Sequence, residues 1–203
     1  MTDARPAAAT PAPAAPPSAP LDPAHPAAQE RYQVRFDVGL DGARRIGASA
    51  HLLVWCDAIA AEPVPVDALP HRLEVIDARL GAAGAIAQRL LALQAERGER
   101  TMVAVVAAGA PAQSPEGFPV EDVLLAGAIV DALGAVGIDA TSPEAAAAAA
   151  AFQGLRGAVG HMLTASTAGR ALAAASGPQA VTEARARLEE PALVVLREFS
   201  PAA

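Results

Sequence analysis

The chain has little of several residue types, and each shortage limits the folds or the functions that are possible. A single cysteine, Cys56, excludes a disulfide framework within the chain and suits a reducing, cytoplasmic environment. Basic residues number 15 against 22 acidic ones, and the net charge of −7 argues against nucleic acid as a partner, which needs clustered Lys and Arg. Aromatic residues make up only 3%, so the core has to be built from Ala, Val, Leu and Ile.

The first 30 residues are rich in Pro and Ala and contain no continuous apolar segment behind a basic start. This pattern argues against a signal peptide and against a membrane span, so we expect no membrane partner. Repeated prolines lock φ and remove backbone donors, and few side chains here can bury enough surface to offset the ordering entropy. We therefore predict a disordered tail over residues 1–30 and a single α/β domain over residues 31–203.

Short apolar runs alternate with helical patterns along the folded part. The run Met102–Ala108 is too short for a helix and rich in β-branched residues, which is typical of a strand buried on both faces. From Leu73 to Gly109 the pattern is strand, helix, strand, the crossover unit of a parallel sheet. Further strands are predicted over residues 32–37, 51–57 and 192–196, and helices over 39–46, 81–96, 119–136 and 143–163. We predict a three-layer α/β/α fold with a mainly parallel or mixed sheet.

Carboxylates follow two of the predicted strands. Asp57 ends the strand over residues 51–57, and Glu121 and Asp122 lie in the first turn of the helix that follows Met102–Ala108. If the strands are parallel, the three side chains meet at the sheet edge where ligands bind in open α/β folds, and a hard cation such as Mg²⁺ would suit their oxygens. The alternatives are that acidic residues complement the helix dipole and that aspartate terminates a strand through its own hydrogen bonds.

Several motifs, taken in order, resemble the 2-phosphosulfolactate phosphatase (ComB) family. Members typically contain Cys-Ala-Gly, a short loop, Phe-Ser-Leu-Glu-Asp and then Ala-Gly-Ala, and the chain has Ala107–Gly109, Phe118–Asp122 and Ala126–Ala128 in the same order. Ser166–Arg170 is similar to the family's Ser-x-(His)-Gly-Arg stretch, and Val34–Asp37 resembles the opening strand of many members. The resemblance extends over roughly residues 32–199.

This resemblance implies a Mg²⁺-dependent phosphatase that hydrolyses 2-phosphosulfolactate, a small anionic phosphate ester, to sulfolactate and phosphate. In the family this is a step of coenzyme M synthesis in methanogens. The residues to which the resemblance gives catalytic and metal-binding roles are Asp57, Glu121 and Asp122. Those to which it gives contacts with the anionic substrate are Ser166, Gly169 and Arg170.

Departures from the family pattern keep a second function open. Family members follow the aspartate equivalent to Asp57 with Val-Leu-Arg-Ala-(Thr/Ser), whereas Ala58-Ile59-Ala60-Ala61-Glu62 stands here. The family's Gly-Glu-Arg, Asn-Ser-Pro and Thr-Thr-Asn-Gly-Thr segments have no counterpart between Glu62 and Leu73. The alternative is a catalytically inactive ComB-like scaffold that acts as a small-anion-binding or homo-oligomeric protein.

Overall fold

A mixed sheet forms the centre of the computed structural model, which describes residues 25–60, 62–109 and 117–200. Within these ranges its strands are β1 (Val34–Val38), β2 (Leu52–Cys56), β3 (Glu74–Asp77), β4 (Val103–Ala107) and β5 (Val194–Arg197). They lie in the order β1-β4-β2-β3-β5, and the first four are parallel while β5 runs antiparallel to β3. The predicted mixed sheet is therefore confirmed.

Helices cover both faces of this sheet. On one face α1 (Gly39–Gly47) and the connector between β2 and β3 pack against side chains such as Leu53 and Trp55. On the other face α2 (Ala83–Arg97) and α3 (Val120–Ala135) pack against the alternate side chains of the strands. The helices of the C-terminal half are α4 (Pro143–Leu155), α5 (Val159–Ala165), α6 (Thr167–Ser176) and α7 (Pro178–Leu188). This arrangement confirms the three-layer α/β/α architecture.

The described helices are all too short or too polar to cross a lipid bilayer. The helix predicted over residues 143–163 is interrupted: α4 ends at Leu155, a 3₁₀ turn follows at Arg156–Ala158, and α5 begins at Val159. High alanine propensity predicts continuous helix, but Gly154, Gly157 and Gly160 weaken it locally. Gly160 also lies against Arg185, since a Cβ at this glycine would be 2.8 Å from the guanidinium carbon.

The outer edge of β1 is covered by a side chain from the segment that we predicted to be a tail. Gln29 is 7% exposed; its Nε2 donates to the carbonyl of Phe36 at 2.8 Å, and its Oε1 accepts from the Phe36 amide at 3.1 Å. The preceding residues Pro26–Ala28 form a 3₁₀ turn. The described fold therefore begins before the predicted boundary at residue 31, and the Gln29 amide supplies the donor and acceptor that an edge strand leaves unpaired. Residues 1–24 lie outside the described ranges.

The last strand, β5, was predicted to be buried and is instead a partly exposed edge strand, with Leu196 40% exposed. Arg197 fixes its end, because its guanidinium donates to the carbonyls of Leu73 and Val66, at 3.1 Å each, and to that of Pro70. An apolar run alone does not show whether a strand lies in the centre of a sheet or at its edge.

Candidate functional site

A crevice opens at the carboxyl edge of the sheet between β2 and β3. The later part of the connector after β2, which includes Leu69, packs on the face covered by α1, whereas β3 leads into α2 on the opposite face. Neighbouring strands whose connections separate in this way create the position where ligands bind in open α/β sheets. Functional side chains are therefore expected at this edge.

An open cleft of about 430 Å³ occupies this crevice. Its charged lining consists of Asp57, Glu62, Asp77 and Arg187, and its remaining wall is formed by Ala60, Pro63, Val64, Val66 and Leu196. A depression of similar size beside Gln94 and Arg100 lies before β4, at the amino edge of the sheet, where ligands do not usually bind. Sequence reasoning identified Asp57 as a site residue but missed Asp77, Glu62 and Arg187.

Asp57 lies at the mouth of the crevice and also terminates β2. Its Oδ1 accepts a hydrogen bond from the amide of Ala60 at 2.5 Å, and Ala60 has a left-handed φ of 49°. Burial raises the pKa of the Asp57 carboxyl, while the Ala60 amide and the charge of Arg187 act in the opposite direction. The strand-terminator alternative is therefore confirmed, and the same carboxylate lines the cleft.

Asp77 closes β3 and is only 7% exposed. Its Oδ2 lies 3.2 Å from Nη2 of Arg79 and 3.6 Å from Nη1 of Arg187. Arg187 also donates from Nη2 to the carbonyl of Asp57 at 3.0 Å, so its guanidinium stands between the ends of β2 and β3. The second oxygen of Asp77, Oδ1, is buried and has no hydrogen-bond partner within the described structure.

Asp122 joins the start of α3 to two strand ends. Its Oδ1 accepts from the amide of Ala58 at 2.8 Å, and its Oδ2 accepts from the amide of Gly109 at 3.0 Å. Because these amides follow β2 and β4, Asp122 stabilises the carboxyl edge of the sheet. Burial raises the pKa of Asp122 to about 8; the Ala58 amide opposes this rise, and the charges of Asp57 and Glu121 add to it.

The predicted metal ligands, Asp57, Glu121 and Asp122, do not form a three-carboxylate cation site in this arrangement. Glu121 is buried beside Asp122, and the charge of Asp57 adds to the raised pKa of Asp122. Both oxygens of Asp122, however, accept from backbone amides, whereas Asp57 gives its Oδ1 to the amide of Ala60. In residues 25–60, 62–109 and 117–200, no three His, Cys, Asp or Glu side chains are placed to hold a metal ion. The trio therefore does not fit Mg²⁺, and the ion stays a prediction from the family resemblance.

The predicted substrate-binding residues form a helix cap. The Oγ of Ser166 accepts from the amide of Gly169 at 3.0 Å and donates to the carbonyl of Leu163 at 3.1 Å. A Cβ at Gly169 would lie 1.9 Å from that carbonyl oxygen, so glycine is required for packing. Arg170 is exposed on α6. The described residues that line the cleft do not include these three, whose contacts with substrate stay predictions.

The raised pKa of Asp122 predicts a pH dependence that its asparagine variant lacks. Between the unfolded pKa of about 3.9 and the folded value, the folded chain binds more protons at this position, so the free energy of unfolding falls as pH rises. We expect the free energy of unfolding of wild type, measured relative to that of Asp122→Asn, to fall by up to about 1.4 kcal/mol for each unit by which pH rises. Urea unfolding at pH 5 and pH 7.5, with chelator present, measures it. Parallel pH profiles for the two proteins would contradict the prediction.

The architecture and its acidic crevice define the chain as a three-layer α/β protein with a candidate ligand cleft at the β2 and β3 ends. Comparison with known proteins adds no family to this description, since no protein-family model and no curated protein matches the chain. Any function must therefore be argued from the cleft itself.

Proposed function

We propose that the chain is a phosphoric monoester hydrolase, of the kind that its resemblance to the ComB family implies. One observation carries the proposal: Asp57 and Asp77, which end two adjacent strands, line one open cleft together with Arg187, and Asp122 holds the amide of Ala58, the residue after Asp57. Burial raises the pKa of the Asp57 carboxyl, and a buried carboxylate of raised pKa in a cleft is typical of functional sites. The substrate class is a small anionic phosphate ester, and 2-phosphosulfolactate is the first candidate.

Each charged group in the cleft has a role in this proposal. A phosphate monoester is anionic and is repelled by carboxylates, so Arg187 supplies the positive charge that binds its phosphoryl oxygens. Asp57 faces the cleft, and burial raises the pKa of its carboxyl, which makes the carboxylate a stronger base toward the attacking water.

A second candidate function is a non-catalytic scaffold that binds a small anion or assembles as an oligomer. The hydrogen bonds of Asp122 and Ser166 favour it, because both residues belong to the family-like motifs and both have structural roles here. In this alternative the motifs persist because they hold the sheet edge and cap α6, not because they act on substrate.

Phosphatase assays distinguish the two candidates. The purified chain is given 2-phosphosulfolactate or p-nitrophenyl phosphate, each with Mg²⁺ and with chelator. We expect Mg²⁺-dependent turnover and a loss of about 100-fold or more in kcat for Asp57→Asn, in the range of general acid–base effects. The matched control is Asp67→Asn, an exposed aspartate of the same connector that does not line the cleft. Turnover under no condition by the folded protein would remove the hydrolase and leave the scaffold.

A further inference from the structure

The Oδ1 of Asp77 is a buried carboxylate oxygen without a hydrogen-bond partner in the described structure, and Asp77 lines the cleft. Burying a charged oxygen without a hydrogen-bond partner costs more free energy than burying an unpaired neutral group. The neighbouring lining residue, Asp57, follows the strand that pairs with β3, and Trp55 is the register partner of Asp77. Two carboxylates of adjacent strand ends therefore line one space, and Asp77 also has an acceptor oxygen that is closed off from solvent and unsatisfied.

Arg187 covers this space without satisfying that acceptor. Its closest approach to Asp77 is 3.6 Å, to the other oxygen, whereas Arg79 lies 3.2 Å from Asp77 and 2.5 Å from Glu190. The Arg187 side chain is 27% exposed and that of Arg79 is 10% exposed, so Arg187 is the more accessible of the two guanidiniums beside Asp77. Arg79 is buried and is also paired with Glu190. Arg187 is therefore the guanidinium that an entering cation can replace.

We propose that Asp57 and Asp77 form a divalent-cation site that Arg187 covers in the cation-free chain, and that an entering ion displaces its guanidinium from Asp77. Hard divalent ions such as Mg²⁺ often use only one or two protein carboxylates, with water and substrate oxygens completing the shell. This site differs from the predicted trio, since Asp77 replaces Glu121 and Asp122. The displaced Arg187 then contacts an anionic ligand; this last step rests on the proposed function, whereas cation binding does not.

The charges around the cleft favour a divalent ion over the monovalent arginine. Asp57, Glu62 and Asp77 contribute three negative charges to the lining, and Arg187 contributes one positive charge. A divalent ion brings twice the charge of the guanidinium and is more compact. Salt screening is weakest for buried groups, and Asp77 is 7% exposed, so its attraction for a cation is retained at physiological ionic strength.

Mn²⁺ serves as the probe, and free Mn²⁺ is measured by electron paramagnetic resonance during titration of the full chain. The fluorescence of Trp55, the chain's one tryptophan, gives a second readout beside Asp77. We expect one bound ion per chain, binding weakened at least 10-fold in Asp77→Asn, and binding strengthened several-fold in Arg187→Gln, where the competing cation is removed. The controls are Asp67→Asn and Arg185→Gln, an exposed position of the same helix.

Binding that is unchanged in Asp77→Asn, or weaker in Arg187→Gln than in wild type, would overturn the proposal, as would the absence of binding in both wild type and Arg187→Gln. If Asp77→Asn fails to fold, the direction of the Arg187→Gln effect decides. The phosphatase assay separates this site from the proposed function. Mn²⁺ binding without turnover keeps the site and removes the hydrolase, and turnover without the predicted binding changes removes the site alone.

Discussion

Replacing Arg89 by Leu is expected to lower the free energy of unfolding by about 3–5 kcal/mol, because it leaves a buried charge without its partner. Glu74 in β3 is fully buried, and its carboxylate accepts two hydrogen bonds from Arg89 of α2, from Nε at 2.8 Å and from Nη2 at 2.6 Å. This parallel geometry is the strongest form of an ion pair between side chains. The hydrogen bond to Glu74 raises the pKa of Arg89 above its ordinary value.

The two members of this pair are not equivalent, and the difference sharpens the test. Arg89 is 23% exposed, so in Glu74→Gln its charge can regain water, and we expect a smaller loss than for Arg89→Leu. The double variant Glu74→Met with Arg89→Leu should recover most of the loss, since an apolar pair often replaces a buried ion pair at little cost. Asp41→Asn, which removes an exposed pair with Arg44, should change stability by less than about 1 kcal/mol.

Urea unfolding followed by circular dichroism measures all four variants. A loss below about 1 kcal/mol for Arg89→Leu would show that the pair contributes little beyond a surface ion pair, and the packing of α2 on β3 would then have to depend on its apolar contacts alone.

Local patterns predicted most of the fold, because strands and helices here follow short-range signals. The strand β4 was predicted over residues 102–108 and forms over Val103–Ala107, and the helix α3 starts at Val120, directly after the proline that marked its first turn. Exposure at the sheet edges was not predictable in this way. The contacts of Gln29 with β1 depend on which strand is outermost, and hydropathy along one segment does not contain that information.

The candidate site was only partly predictable for a similar reason. Asp57 was recognisable because it is a carboxylate at the end of an apolar run, and Asp77 carries the same signal but was treated as part of its strand. The closeness of Asp57 and Asp77 depends on the strand order β1-β4-β2-β3-β5, which places β2 beside β3. Arg187 comes from α7, far along the chain, and only the packing of that helix brings its guanidinium to Asp57 and Asp77.

Gly127→Ala is expected to destabilise the chain by about 3 kcal/mol, at the upper end of the usual cost of overpacking. Gly127 lies where α3 crosses α4, and a Cβ there would lie 2.2 Å from the carbonyl oxygen of Ala148 and 2.9 Å from Cβ of Phe152. The obstructing atom is backbone, so relief requires α4 to move rather than a side chain to rotate. Gly127 belongs to the Ala-Gly-Ala motif, which here allows close helix packing in the layer that supports Asp122.

A second glycine of the same helix provides the matched control. At Gly134 a Cβ would meet no atom within 4 Å, so Gly134→Ala should stabilise the chain by up to about 1 kcal/mol through helix propensity alone. Opposite signs for the same substitution within one helix isolate packing from propensity. Thermal and urea unfolding of both variants measure the difference. Equal effects at the two positions would mean that α3 and α4 do not approach as closely as described, and that Asp122 is held at the sheet edge by its own hydrogen bonds rather than by this crossing.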